Sequence, residues 1–281
     1  MIAICSMVRK PFNFDTWIEY HLSIGVNYIF LRVEDTPDLK YLINKYPNVF
    51  AYYDNQSNKR NNYYTQMNRQ KELIEHFIPK MNELNIDWLF HIDSDELICC
   101  NSNLQFVLNN VSNKFDVVIF KNYEAIYDND NLENPFYQCS RFKEKNLLAY
   151  SNGKSAVRFK KLNLNHKMKD KSDDFGWLGF SPHKFIGESV KLSTSTIVIL
   201  HFESSTYENW YEKFSNDSDM DTEAFDSIPF EFYKKSIEII KDGDINKARE
   251  YYNKMKVNTN DDIIRLYWTP QLEYKNINWV K

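Results

Sequence analysis

Glycine is scarce, with 6 in 281 residues, and no G-x-x-x-x-G-K or G-x-G-x-x-G run occurs. A phosphate-binding loop of the glycine-rich kind is therefore missing. The four cysteines, Cys5, Cys99, Cys100 and Cys139, lack metal-ligand spacing, and the vicinal Cys99-Cys100 is a poor disulfide framework. This composition predicts a reducing, cytoplasmic location. No stretch approaches the roughly 20 apolar residues of a membrane span. The apolar start over 1–8 is too short for a signal segment, lacks a preceding basic region and reads as a first strand. Long basic runs are also absent and the net charge is −4, which argues against a nucleic-acid partner. What is present is enough apolar material, 43%, for a full core in one α/β domain or one such domain with a helical annex. Aromatics reach 16%, but abundant Asn, Lys, Ile, Tyr and Phe can reflect AT-rich coding, so only clustered rings bear on a site.

Carboxylates are concentrated at one point. Trp88-Leu-Phe-His-Ile92 reads as a buried strand and breaks, without a turn signal, into Asp93-Ser94-Asp95-Glu96. Acids crowded at the end of a buried strand repel one another and lose hydration, so they call for a cation or hydrogen-bond donors between them. Oxygen ligands without a nearby thiol favour Mg²⁺ or Mn²⁺, ions that bridge carboxylates to a substrate phosphate. The plainer reading is a strand followed by a helix N-cap, with Ser94 or Asp95 as the cap. A calcium loop does not fit, since the glycine of its sharp turn is missing.

In chain order, a polar turn at Arg9-Lys10-Pro11 leads to a helix up to Gly25, with Trp17, Ile18, His21 and Leu22 at helical spacing. A strand over 27–33 follows, then a helix over 37–45, a strand over 49–53, a polar loop over 54–62 and a long helix over 63–84. This βαβ order predicts a ligand crevice at the carboxyl ends of the strands. Val8 and Arg9 after the first strand and Glu34 and Asp35 after the second face that crevice, although Glu34 and Asp35 serve equally as caps of the next helix. Gln66, Arg69 and Gln70 lie within one turn of the long helix behind it. Farther on, 103–111 reads as a helix and 116–120 as a buried strand. The stretch 122–152, with Tyr123, Tyr127, Phe136, Tyr137 and Tyr150, suits an acceptor-side insertion of sugar-stacking rings, with core packing as the competing explanation. The loop over 169–177 pairs Asp173 and Asp174 with Gly176 and Trp177. A strand over 197–200 then delivers His201.

The ensemble resembles a known group. Asp15-Thr-Trp-Ile-Glu-Tyr-His21-Leu-x-x-Gly25-Val26 is similar to the opening of family 2-like and family 92-like glycosyltransferases. Trp88-x-x-x-x-Asp93-x-Asp95-Glu96 resembles their acidic metal motif, Lys154-Ser-Ala-Val-Arg158 their "K-S-I-V-R" block, and His201-Phe202 their "H-Y" pair. The matches run in order over about 2–214. Departures include Arg9-Lys10-Pro11 in place of Asn-Glu, Leu97 in place of an aromatic, Phe159 in place of proline, and Ser204-Ser205 where Lys-Ser often follows.

The resemblance implies a GT-A fold: an α/β, Rossmann-like mixed sheet flanked by helices. The expected division is a catalytic domain over 1–214, its nucleotide half over 1–100 and its acceptor half over 101–214, followed by a C-terminal helical annex over 215–281. The implied activity is inverting transfer of a hexose from a nucleoside-diphosphate sugar, such as a UDP-sugar, to a hydroxyl of a glycan or protein acceptor. Mn²⁺, or Mg²⁺, would be held by Asp93, Asp95 and His201. Val8, Arg9, Glu34, Asp35, Gln66, Gln70, Asp93, Ser94 and Lys154 are assigned to the donor. Asp174 is the candidate base, with Asp173 and His183 as reserves. The annex either covers the donor or joins two copies as a homodimer. Two other classes remain open: an inactive sugar-nucleotide or glycan-binding module, and a metal-dependent nucleotidyltransferase or phosphohydrolase.

Overall fold

The computed structural model describes residues 1–55, 63–162, 164, 185, 187–193, 195–218, 222–268, 272–275 and 277. Ile2–Val8 forms β1, and its alternation sets two core layers. Ile2 and Ile4 pack with Trp17 and Ile18 of α1 (Phe14–Ser23), while Ala3 and Cys5 pack with Leu73, Ile74 and Phe77 of a longer helix on the other face. That second helix, α3 (Tyr63–Glu83), follows β2 (Tyr28–Glu34), α2 (Leu39–Ile43) and β3 (Val49–Asp54). Gly25, at φ 105, sits just beyond the C-cap of α1, where the left-handed backbone favours a residue without Cβ. Strands β1, β2, β3 and β4 (Trp88–His91) pair in parallel in the order β3-β2-β1-β4.

The sequence then departs from a parallel sheet. The acidic turn does not start a helix. Glu96–Cys100 is β5, followed by α4 (Leu104–Asn109), β6 (Val117–Ala125), α5 (Pro135–Gln138), β7 (Arg141–Lys143), β8 (Lys154–Arg158), β9 (Ser189–Lys191) and β10 (Ile197–His201). β8 lies antiparallel between β4 and the first half of β6. The second half of β6 changes neighbour and pairs in parallel with β10, which pairs antiparallel with β5. The result is a mixed α/β sheet flanked by helices, the fold class implied by the resemblance.

The 122–152 stretch is less irregular than its composition suggests. β6 runs on to Ala125, and Tyr123, Tyr127 and Phe136 are buried core; Tyr150 is also buried but lines the cavity at the strand ends, and Tyr137 alone of the five is exposed. Helices then follow: α6 (Tyr207–Asn216), α7 (Thr222–Asp226), α8 (Glu231–Asp242) and α9 (Ile245–Lys256). Trp210, Phe214, Phe232, Ile237 and Tyr252 of α6, α8 and α9 build a separate apolar cluster. After α10 (Asn260–Trp268), β11 (Leu272–Tyr274) returns to pair with β7. No helix among the described residues is long and apolar enough to cross a membrane.

Three side chains of α1 satisfy main-chain groups of β5. Trp17 Nε1 donates to Glu96 O at 2.7 Å and the Tyr20 hydroxyl to Ile98 O at 2.8 Å. The His21 ring sits between two further backbone groups, Nδ1–H donating to Trp17 O at 2.8 Å and Nε2 accepting from Ile98 N–H at 3.3 Å. These partners require the neutral ring. Burial pushes the His21 pKa down to about 3, against the opposing effect of its bond to Trp17. The folded value lies below that of the unfolded chain, about 6.5, so the unfolded chain takes up this proton first. Stability from His21 is complete above about pH 6.5 and declines as pH falls from there toward about 3, by about 1.4 kcal/mol per unit. Urea unfolding between pH 7.5 and 5 should show this loss, and His21→Gln should flatten the slope by one proton. Equal slopes in both proteins would refute the assignment.

Candidate active site

The carboxyl ends of β1, β2 and β4 open onto a cavity of about 350 Å³. Its walls include Arg9 from the turn after β1, Glu34 from the end of β2, and Gln66, Arg69 and Gln70 from α3. Asp93, Ser94 and Asp95 line it from the turn between β4 and β5, and His201 from the end of β10. The opposite wall is helical, with Glu212, Lys213 and Asp217 from α6 and its cap and Tyr233 from α8. The strand-end crevice anticipated from the βαβ order therefore exists, and residues from the C-terminal helices close one side of it.

The acidic turn is organised from below. Lys154, the first residue of β8, is fully buried, with its Nζ 2.5 Å from Asp93 Oδ2 and 3.2 Å from Glu96 Oε2. Glu96 also accepts the Asp93 N–H at 2.8 Å and the Tyr150 hydroxyl. Burial pushes Glu96 up to about 7, against the pull of Lys154 and with the repulsion of Asp93 and Asp95. Burial works to lower the pKa of Lys154, but Asp93 and Glu96 outweigh it and hold the ammonium charged. Gly153 makes this placement sterically feasible. It adopts φ 75, and a Cβ there would stand 2.0 Å from the Phe120 carbonyl oxygen, so the chain can cross β6 at this point only as glycine.

Above the turn, a second group converges. His201 Nε2 lies 3.5 Å from Asp95 Oδ2 and 3.7 Å from Glu203 Oε2, and one ligand atom from each of Asp95, His201 and Glu203 falls within 4.8 Å of the others. The Asp95 carbonyl accepts the Phe202 N–H at 2.8 Å, which ties the two approaching segments. His201 Nδ1 is buried without a hydrogen-bond partner among the described residues. Burial disfavours a charged imidazole, yet Asp95 and Glu203 outweigh it and push His201 up to about 9. Two carboxylate oxygens and an imidazole nitrogen, with no thiol, form a donor set able to hold a divalent cation. The residues present thus fit the divalent cation that the motif implied.

Several assigned donor residues take different places. Lys154 is not among the residues lining the cavity: it starts β8, between β6 and β4 in the sheet, and its buried ammonium is held by Asp93 and Glu96. Asp93 lines the cavity, but its carboxylate is tied to Lys154 and it stands outside the Asp95, His201 and Glu203 group. The Val8 side chain is packed in the core, leaving only its main chain for a ligand. Glu34 reaches the cavity wall with its carboxylate bound by Arg32 Nε and Arg69 Nε, both at 2.8 Å, and Asp35 pairs with Arg9 at 2.9 Å. Gln66, Gln70, Ser94 and Arg9 line the cavity as placed. Asp173, Asp174 and His183 lie outside the described residues. Glu203 was missed altogether. Its signal in the sequence is slight: it lies two residues beyond His201, in the turn that follows β10.

No protein-family profile matches the chain. Two Arabidopsis thaliana proteins named glycosyltransferase-like, At2g41451 and At3g57200, are 29% and 27% identical to it over 190 residues. Each match covers 50% of this chain, and 42% and 37% of the respective relative, so the chain spans about two fifths of the curated relatives it matches. Their names agree with a glycosyltransferase-like character and do not separate family 2-like from family 92-like proteins. Among solved structures, HddC from Yersinia pseudotuberculosis aligns with 75% of this chain and 97% of its own, at 14% identity and a TM-score of 0.40. TarS 1-349 of S. aureus, also solved in complex with UDP, aligns with 96% of this chain and 77% of its own, at 12% identity and a TM-score of 0.40. Likenesses this slight carry no argument for the site.

Proposed function

We propose that this chain is a metal-dependent glycosyltransferase that moves a hexose from a nucleoside-diphosphate sugar, in the first instance a UDP-sugar, to a hydroxyl of a glycan or protein acceptor with inversion. The observation that carries this reading is the meeting of Asp95, His201 and Glu203 beside the acidic turn, at the strand-end cavity. The glycosyltransferase-like names of the two plant relatives support it. In this reading Asp95, His201 and Glu203 hold the divalent ion, which when bound supplies positive charge for the departing diphosphate. Arg9, Gln66, Gln70 and Ser94 contact the donor from the cavity wall. Asp93 faces the donor under the control of Lys154. The acceptor proton is assigned to Asp174, with Asp173 and His183 as reserves, on chain order alone.

A panel of nucleotide sugars, assayed for slow donor hydrolysis with Mn²⁺ and with EDTA, tests the reading. One donor should be turned over with Mn²⁺ and not with EDTA. Equal turnover under both conditions would remove the metal, and no turnover of any donor would favour a binding module. With the active donor and an acceptor in hand, Asp174→Asn should lower transfer by roughly 10²–10⁴-fold while leaving donor binding intact. Normal turnover in that variant passes the role to Asp173 or His183.

A further inference from the structure

We propose that Lys213 is a phosphate-binding residue that changes partner, holding Glu203 while the site is without its ligands and releasing it to take the donor diphosphate when a divalent cation enters. This rests on the reading of the cavity as a metal and nucleoside-diphosphate site. Lys213 extends from α6 onto the cavity wall, its side chain 35% exposed. Its Nζ donates to Glu203 Oε1 at 2.9 Å, to Glu203 Oε2 at 2.8 Å and to the Tyr233 oxygen at 3.1 Å. The ammonium bridges both oxygens of Glu203, which also accept the Ser204 hydroxyl at 2.5 Å and the Tyr233 hydroxyl, so an ion shared with Asp95 and His201 would compete with it for those oxygens.

The other cavity-lining cations are committed elsewhere. Arg9 pairs with Asp35, Lys10 with Glu212 and Arg69 with Glu34, none of which belongs to the metal group. Lys213 differs because its carboxylate partner is itself a member of that group. An ion of charge two outcompetes one ammonium at Glu203, and once displaced the lysine faces a cavity in which the same ion gathers phosphate oxygens. Its flexible stem and three donors suit it to follow the negative charge from carboxylate to phosphate. Helix α6, outside the sheet, thereby becomes part of the donor site.

The exchange makes two effects of opposite sign. In Lys213→Met, Mn²⁺ alone, followed through the free-ion EPR signal, should bind at least about threefold more tightly, because its competitor is gone. UDP, titrated calorimetrically in saturating Mn²⁺, should bind at least about tenfold more weakly, the worth of a charge-assisted contact. Lys213→Gln, which keeps a donor toward Glu203 and guards against a folding failure in the first variant, should show the same pair of signs. Weakening of Mn²⁺ and UDP together would mean that Lys213 only holds Glu203 in place, and no change in either would leave it as surface charge; both overturn the exchange. Failure of the unsubstituted protein to bind either Mn²⁺ or UDP would instead overturn the reading of the cavity itself.

Discussion

Asp95→Ala should bind UDP equally well with and without Mn²⁺, and its transfer rate should fall by at least about 10³-fold, the equivalent of about 4 kcal/mol of lost transition-state stabilisation. Asp95 is the residue through which the acidic turn joins the second group. Its carboxylate faces His201 at 3.5 Å, while its carbonyl takes the Phe202 N–H. Removing the side chain deletes one of two carboxylates that attract the ion but leaves that main-chain tie in place, so the fold should survive. Calorimetry of UDP with Mn²⁺ and then with EDTA separates the two effects. An Asp95→Ala protein whose UDP affinity still rises on adding Mn²⁺ would place the ion elsewhere.

The largest stability effect is expected below the turn. Lys154→Met removes the ammonium enclosed between Asp93 and Glu96 and leaves the buried Glu96 facing Asp93 and Asp95 without its cation. Breaking a buried pair from one side costs about 3–5 kcal/mol, and the lower end applies here because the Tyr150 hydroxyl remains on Glu96. Replacing the second charge as well, in Lys154→Met with Glu96→Gln, should restore part of that loss, since the uncompensated carboxylate is then gone. Urea unfolding of the two variants decides the matter. A loss under about 0.5 kcal/mol in the single variant would show that Lys154 is a replaceable surface-type charge.

The first half of the fold was readable because its signals are local. The apolar run over 1–8, the helical spacing of Trp17, Ile18 and His21 and the terminator Gly25 each act within one element, and the strand-end crevice follows from their order. β5 was not readable. Glu96-Leu-Ile-Cys-Cys100 begins with an acid, which resembles a helix cap; what makes it a strand is β10, about a hundred residues later, together with Trp17, Tyr20 and His21 on its other edge. The same distance explains the site. Asp93, Asp95 and His201 stand out as polar breaks at the ends of apolar runs, whereas Glu203 lies in a turn outside any such run and is joined to them by His201 and to the helices by Lys213 and Tyr233. Lys154 looked like a phosphate contact beside a strand. Its neighbours on β4 and β6 bury it, and no pattern within residues 154–158 indicates that.

The central claim is that one divalent ion is shared by Asp95, His201 and Glu203. Pulsed EPR of Mn²⁺ bound together with UDP tests it most directly, because an imidazole nitrogen on the ion leaves a hyperfine coupling that carboxylate and phosphate oxygens do not. The unsubstituted protein should show that nitrogen coupling, and His201→Gln should lose it. Mn²⁺ bound with no nitrogen coupling, or a coupling that persists in His201→Gln, would contradict the account.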